Sequence, residues 1–312
     1  MQWKGLVIDM KKFTKVSLIV VAVIAAVGII FCGIAAAMGA GLGTVYHMAK
    51  SGEFDFGNWE FENGITWTGE RATNGTDIIK AFDASEIQKV SLEISAAYVN
   101  VKTDADASQV TVRMLDGEAN RFESYVKDKE LTIKYKTKAH QNDSATIEVT
   151  FPANMEFEKF NAEIGASDMD IEDADFVTKE MTVSLGAGDF TADYLHVTGD
   201  FTMDAGAGDI DVLSGDFQNV QVDAGVGDAS LTGTVRGNIK GSCGVGSLSF
   251  YLTGKESDFN YDLQCGLGEI DINDSTYSNL GGKKTIQNDG AAKTVSLDCG
   301  VGDVSLETGE DE

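Results

Sequence analysis

The stretch Val183-Ser184-Leu185-Gly186-Ala187-Gly188-Asp189-Phe190-Thr191-Ala192 returns as Met203-Asp204-Ala205-Gly206-Ala207-Gly208-Asp209-Ile210-Asp211-Val212. It returns again as Val222-Asp223-Ala224-Gly225-Val226-Gly227-Asp228-Ala229-Ser230-Leu231. Further copies carry the glycine pairs Gly244 and Gly246, Gly266 and Gly268, and Gly300 and Gly302, and a degenerate copy is centred on Gly165. The first glycines are 21, 20, 19, 19, 22 and 34 residues apart. A fixed period near 20 marks a solenoid, in which each repeat is one supersecondary unit that buries its apolar face by stacking on its neighbours.

Counted from the first glycine, the residues one before it are Ile164, Leu185, Ala205, Ala224, Cys243, Cys265 and Cys299. Three before it stand Ala162, Val183, Met203, Val222, Gly241, Leu263 and Leu297, and the apolar column resumes four and six places after it. Alternation of period two puts these columns on one face of a strand. Each repeat therefore reads as strand, Gly-x-Gly corner, strand and return. The corner glycines are expected to reach backbone conformations closed to other residues, and the aspartate that follows suits a turn. The predicted fold is all-β, a single-chain parallel β-helix with coils of about 20 residues.

Upstream the pattern is looser. Residues 86–158 read as irregular coils, beginning with Val90, Leu92 and Ile94 before Ser95-Ala96-Ala97. They continue through strands at Val110–Met114, Leu131–Tyr135 and Thr146–Phe151, with Pro152 closing the section. Regular repeats span 159–306, and an acidic tail, 307–312, is expected to repel edge-to-edge addition. The last interval exceeds its neighbours by about 14 residues. The surplus, around Ser275–Ala292, reads as a loop in which Tyr277, Lys283 and Lys284 are candidate binding residues, against the plainer reading of a tolerated surface loop.

The N-terminus has a different character. Residues 1–15 carry Lys4, Lys11, Lys12 and Lys15 against Asp9, and residues 16–43 carry no charge. That run is long enough for a transmembrane helix, which needs about 20 residues. The preceding lysines predict a cytoplasmic N-terminus and an extracytoplasmic remainder. Residues 44–85 read as a membrane-proximal connector whose Phe54, Phe56, Trp59, Phe61 and Trp67 either cover the end of the solenoid or sit at the membrane surface.

The formal charge is −26. Taking away the four lysines and one aspartate of residues 1–43 leaves 20 basic and 49 acidic residues, a net −29 beyond the span. Nucleic acid is excluded as a partner on electrostatic grounds. Cations, cationic peptides, envelope components or a partner membrane protein remain compatible. The sharpest candidate is an acidic patch of Asp189, Asp204, Asp209, Asp211, Asp223 and Asp228, all expected to point outward and to recruit divalent cations such as Ca2+ weakly; the plainer reading is a solvated face. Cys243, Cys265 and Cys299 share one inward column and are expected to be buried thiols acting as small hydrophobes, with neighbouring coils close enough for a Cys243–Cys265 bridge. His47, His140 and His196 stand in no catalytic arrangement, and no nucleophile-elbow, zincin or phosphate-loop motif occurs.

The Lys-flanked span, the strands ending at Phe151-Pro152 and the repeated Gly-Ala-Gly-Asp-Ile-Asp-Val corners together resemble the DUF4097 family, whose members carry the provisional label of adhesins. The resemblance covers roughly 80–312. It implies a β-helix at the bacterial cell surface and, in some members, an association with envelope-stress systems; it supplies no catalytic residues and no cofactor. The expected function is a non-enzymatic surface module for adhesion or envelope-stress sensing. A scaffold assembling through solenoid ends is the alternative, and a carbohydrate-active enzyme on a β-helix is third.

Overall fold

Apolar columns in register can be buried only if each coil lies against the next, and the chain does wind in this way. The computed structural model describes residues 76–136, 145–172, 175–273, 275–278 and 282–309. The N-terminal part holds β1 (Thr76–Asp83), β2 (Lys89–Ile94), β3 (Tyr98–Asp104), β4 (Gln109–Gly117), β5 (Phe122–Lys127), β6 (Glu130–Tyr135) and β7 (Thr146–Pro152). Pairs of strands then flank each corner: β8 (Met155–Ala166) and β9 (Met169–Glu172), β10 (Phe176–Ala187) and β11 (Phe190–Ala192), β12 (Leu195–Ala207) and β13 (Ile210–Val212), β14 (Gly215–Val226) and β15 (Ala229–Val235), β16 (Ile239–Val245) and β17 (Leu248–Thr253), β18 (Phe259–Leu267) and β19 (Glu269–Ile272). The chain ends through β20 (Ser275–Ser278), β21 (Gly282–Ile286), β22 (Lys293–Val301) and β23 (Val304–Gly309).

Strands before the corners stack as a first sheet and strands after them as a second, joined into one solenoid. The inward columns are buried throughout: Phe201, Met203, Ala205, Ile210 and Val212 in the Gly206 coil have their counterparts in every other. Between the irregular and regular coils a cluster of rings fills the interior, with Phe157 lying 5.1 Å from Phe151 and 5.4 Å from Phe176, edge to face.

The order of stacking differs from the order of the sequence. From Gly165 to Gly244 the coils follow one another, β8–β10–β12–β14–β16. The next neighbour of β16 is β22, and β18 lies beyond it. The second sheet agrees: β17 pairs with β23, and β23 with β19. The last coil of the chain, Gly300, is thus inserted between the Gly244 and Gly266 coils. The N-terminal end has the same exchange. There β2–β3, the first coil, lies between β6–β7 and β8–β9.

Antiparallel strands close both ends. β5 and β4 cover β6 and β7, with β1 beyond β4, while β21 and β20 cover β18 and β19. The expected loop over Ser275–Ala292 is therefore corrected: most of its surplus forms these two cap strands. The connector expected over 44–85 ends in β1, since Thr76–Asp83 pairs with Gln109–Gly117. Residues 307–309 of the expected acidic tail belong to β23, which runs inside the stack and not at a sheet edge, and residues 310–312 lie outside the described residues. Residues 16–43 and the connector's aromatics lie outside the described residues. Among the described residues no helix is long and apolar enough to cross a membrane.

Candidate functional site

The corners are where backbone, charge and sulfur converge, and the two glycines of each corner serve different ends. Gly208 has φ +123, a region that residues with a Cβ rarely adopt. The other second glycines, Gly188, Gly227, Gly246, Gly268 and Gly302, share this positive angle, and Gly268 reaches the largest value at φ +150. Gly206 has no such angle; a Cβ there would lie 2.5 Å from the Gly186 carbonyl oxygen of the coil beneath. The same holds at Gly266, where a Cβ would lie 2.5 Å from the Gly300 carbonyl oxygen. The first glycine is therefore required by the close approach of coils and only the second by backbone conformation. The conformation expected of both glycines is therefore corrected for Gly186, Gly206, Gly225, Gly244, Gly266 and Gly300 and is found at the second glycines, Gly268 included.

The aspartates that follow form a ladder. The Asp209 N–H donates to Asp189 Oδ1 (2.9 Å), the Asp228 N–H to Asp209 Oδ1 (2.9 Å) and the Ser247 N–H to Asp228 Oδ1 (2.8 Å). Asp168 begins the series by accepting from the Asp189 N–H, and Asp303 accepts from the Glu269 N–H that follows Gly268. Each carboxylate holds the next corner's backbone, so Asp189, Asp209 and Asp228 of the expected cation patch also have a structural part.

The other three aspartates lie elsewhere. Asp204 and Asp223 are register neighbours on the first sheet. Asp223 accepts from the Ser242 hydroxyl at 2.5 Å and the Gln221 amide at 2.8 Å. Burial, and then the charge of Asp223, push the Asp204 carboxyl up from its ordinary range. Asp211 is on the second sheet and accepts from the Ser230 hydroxyl at 2.6 Å. The six thus fall into three columns, and among the described residues no three His, Cys, Asp or Glu side chains gather as metal ligands.

The three thiols are buried and free. Because of the inserted coil, Cys299 is the middle one, paired in register with Cys243 on one side and Cys265 on the other. The expected Cys243–Cys265 adjacency is corrected accordingly. Each sulfur donates to the second corner glycine of a neighbouring coil: Cys265 to Gly302 O (2.9 Å), Cys299 to Gly246 O (3.1 Å) and Cys243 to Gly227 O (3.6 Å). Burial pushes the Cys265 thiol up, and the adjoining Cys243 sulfur, followed by burial, pushes the Cys299 thiol up.

The basic candidates on the cap strands have partners within the fold. Lys283 pairs with Asp262 at 2.8 Å, and Lys284 sits 3.9 Å above the ring of Tyr277. They fasten β21 to β18 and to β20. A second ladder, missed in the sequence, runs along the bends before the Gly206, Gly225, Gly244 and Gly300 corners. Asn219 Nδ2 donates to Asp200 Oδ1 (2.9 Å), Asn219 Oδ1 accepts the Asn238 N–H (3.0 Å), and Asn238 Oδ1 accepts the Thr294 N–H (3.0 Å). Its signal was a polar column six residues before the first glycine.

Of the large apolar side chains left exposed, Ile79 is on the cap strand β1, Tyr125 on β5 and Tyr194 between β11 and β12, and the other three are on or beside the second sheet. These are Leu213 (51% exposed), Tyr251 (42%) and Tyr98 (37%). Beside them runs the register column Thr191, Asp211, Ser230, Ser249 and Ser305. The Tyr98 hydroxyl donates to Asp170, and burial together with that bond pushes its pKa up to about 12.

Repeated coils, side-chain ladders on the bends and strand caps on both ends define a single-chain β-solenoid built around its own backbone hydrogen bonds. The chain belongs to the Toastrack DUF4097 family, whose sequence model matches residues 87–310. Similar solved structures include a provisionally named cell adhesion protein from Clostridium sporogenes (17% identity, 75% of this chain and 99% of that one, TM-score 0.32). Others are a provisionally named adhesin from Bacteroides fragilis (14%, 75% and 97%, 0.35) and a provisionally named lipid-binding protein from Parabacteroides distasonis (14%, 76% and 98%, 0.30). None of the curated proteins compared with the chain matches it.

Proposed function

We propose that this protein is a non-enzymatic, membrane-anchored extracytoplasmic binding module, serving surface adhesion or envelope-stress sensing, and that the outer face of the second sheet is its ligand surface. One observation carries the reading: exposed Leu213 and Tyr251, each two residues past a member of the column, flank a line of hydroxyls that includes the Asp211 carboxylate on a hydrogen-bonded sheet. Neighbouring side chains along such a column are about 4.8 Å apart. An aromatic ring presents an apolar face to a ligand's C–H groups, and the adjacent polar groups fix its orientation. A polyhydroxylated envelope polymer has the matching chemistry. Family membership and the uncharged run at 16–43 support placement at the envelope.

Two measurements test this. In a Cys32→Ser background, Leu213→Cys should react with an impermeant thiol reagent on intact cells; reaction only after lysis refutes the extracytoplasmic placement. Retention of the full chain on immobilised cell-wall polysaccharide should fall several-fold in Leu213→Ala/Tyr251→Ala. Unchanged retention refutes this surface.

A further inference from the structure

We infer that the space between the Gly244 and Gly266 coils is a strand-acceptor slot, which takes the C-terminal coil, β22–β23, either from its own chain or from a second copy of this chain, giving a reciprocally exchanged dimer. This goes beyond the binding role above and rests on the order of the coils.

All strand partners of the C-terminal coil belong to the walls of the slot. β22 pairs with β16 from Ile239↔Val295 to Val245↔Val301, and with β18 from Phe259↔Lys293 to Leu267↔Val301. β23 pairs with β17 and β19. The corner bonds repeat the pattern, with Gly246 N–H donating to Val301 O at 2.9 Å and Gly302 N–H to Leu267 O at 2.8 Å. None of these bonds requires β22 to be joined to the β21 of the same chain.

The covalent tie is the segment 287–292. It leaves β21 on the outer side of β18 and enters β22 on the inner side, so it crosses one strand. Gly290 in it has φ +88, with no heavy atom within 4 Å of where a Cβ would be. The segment is held by Asn288, whose N–H donates to Asn260 Oδ1 (2.9 Å) and whose Nδ2 donates to Phe259 O (2.7 Å) and Glu256 O (3.1 Å). Asn260 Nδ2 in turn donates to Ala291 O at 3.2 Å. Exchange gives up at most these contacts and keeps every wall contact, which is the condition under which swapping an identical element is a low-cost route to a dimer.

Translation order favours exchange. β16–β19 are made before β22–β23, so until the last coil arrives their edges lack the partner they have in the finished fold. Unpaired edges are templates for another chain. The occupant with the matching register on both walls is this same coil.

Ser249 and Ser305 are register partners across β17 and β23, on the outer face. The test uses two full-length chains in a Cys32→Ser background, one carrying Ser249→Cys and the other Ser305→Cys, with the three buried thiols retained. The two are unfolded, mixed, refolded together and treated with a short bis-maleimide. A covalent heterodimer is expected, with the ratio of exchanged dimer to monomer rising about tenfold per tenfold rise in refolding concentration. Chains refolded apart and then mixed should not link. A single chain carrying both cysteines, refolded dilute, should link internally and so certify the reporter pair. A parallel set with Cys243, Cys265 and Cys299 replaced by alanine, as the column already has at Ala205 and Ala224, removes any contribution from core thiols. No heterodimer after co-refolding, with the internal link present, overturns the inference. So does equal linking of chains refolded separately, which would report a surface contact.

Discussion

Replacing each glycine of one corner by alanine separates the two demands made on that corner. At Gly206 the backbone angle is ordinary, so the substitution meets packing alone. The new Cβ would stand 2.5 Å from Gly186 O, where ordinary contact needs more than 3 Å. The coils must part by several tenths of an ångström, and overpacking of this kind costs about 1–3 kcal/mol. At Gly208 the Cβ would collide with Gly188 O and, in addition, be forced into φ +123. A disallowed backbone adds about 1–3 kcal/mol, for about 2–6 kcal/mol together. Urea unfolding of the full chain measures both, the difference being read at constant m so that the denatured state is held fixed. Amide exchange should show the loss concentrated in the Gly186, Gly206 and Gly225 coils, since each coil touches only its neighbours. Gly208→Ala within 0.5 kcal/mol of the parent would refute the account, as would Gly206→Ala being the more damaging.

Asp209→Asn keeps an oxygen to accept the Asp228 N–H and should change stability little, whereas Asp209→Ala should cost about 0.5–1.5 kcal/mol in urea unfolding; equal effects would show that the ladder is not held by this acceptor. The carboxyl of Asp204 is raised on folding, so the folded state gains stability as pH falls through that range and loses it as pH rises. Asp204→Asn should therefore raise the melting temperature at pH 7, and the gain should shrink towards pH 4; a pH-independent shift would contradict the cause given. Cys243, Cys265 and Cys299 should react with thiol reagents only on denaturation. Adjacent coils are about 4.8 Å apart and alternate ones about 9.6 Å, beyond disulfide reach. Any bridge formed by slow oxidation of the folded chain should therefore include Cys299, and mass spectrometry finding Cys243–Cys265 would contradict the stacking order.

The repeat itself determined the coil. Columns such as Met203, Ala205, Ile210 and Val212 can be buried in only one way once the period is read, and the glycine pairs mark the corners. Strands of the irregular section were legible as well, because Val110–Met114 and Leu131–Tyr135 alternate cleanly between turns. The structural part played by the aspartate column was hidden for a local reason. A sequence reports that Asp189, Asp209 and Asp228 share a column, but not that each carboxylate meets the N–H of the coil above, since that contact exists only across the stack. The order of coils was equally hidden. Every coil offers its neighbours the same columns, so Cys243 could face Cys265 or Cys299 with no difference in pattern. Tertiary structure decided between them at the edges. The turn at Asn273 folds β20 back on β19 from the next residues of the chain, and β21 follows onto β18. With the outer edge of the Gly266 coil occupied by these local antiparallel pairings, the last coil finds its second partner only on the inner edge, between two walls made before it.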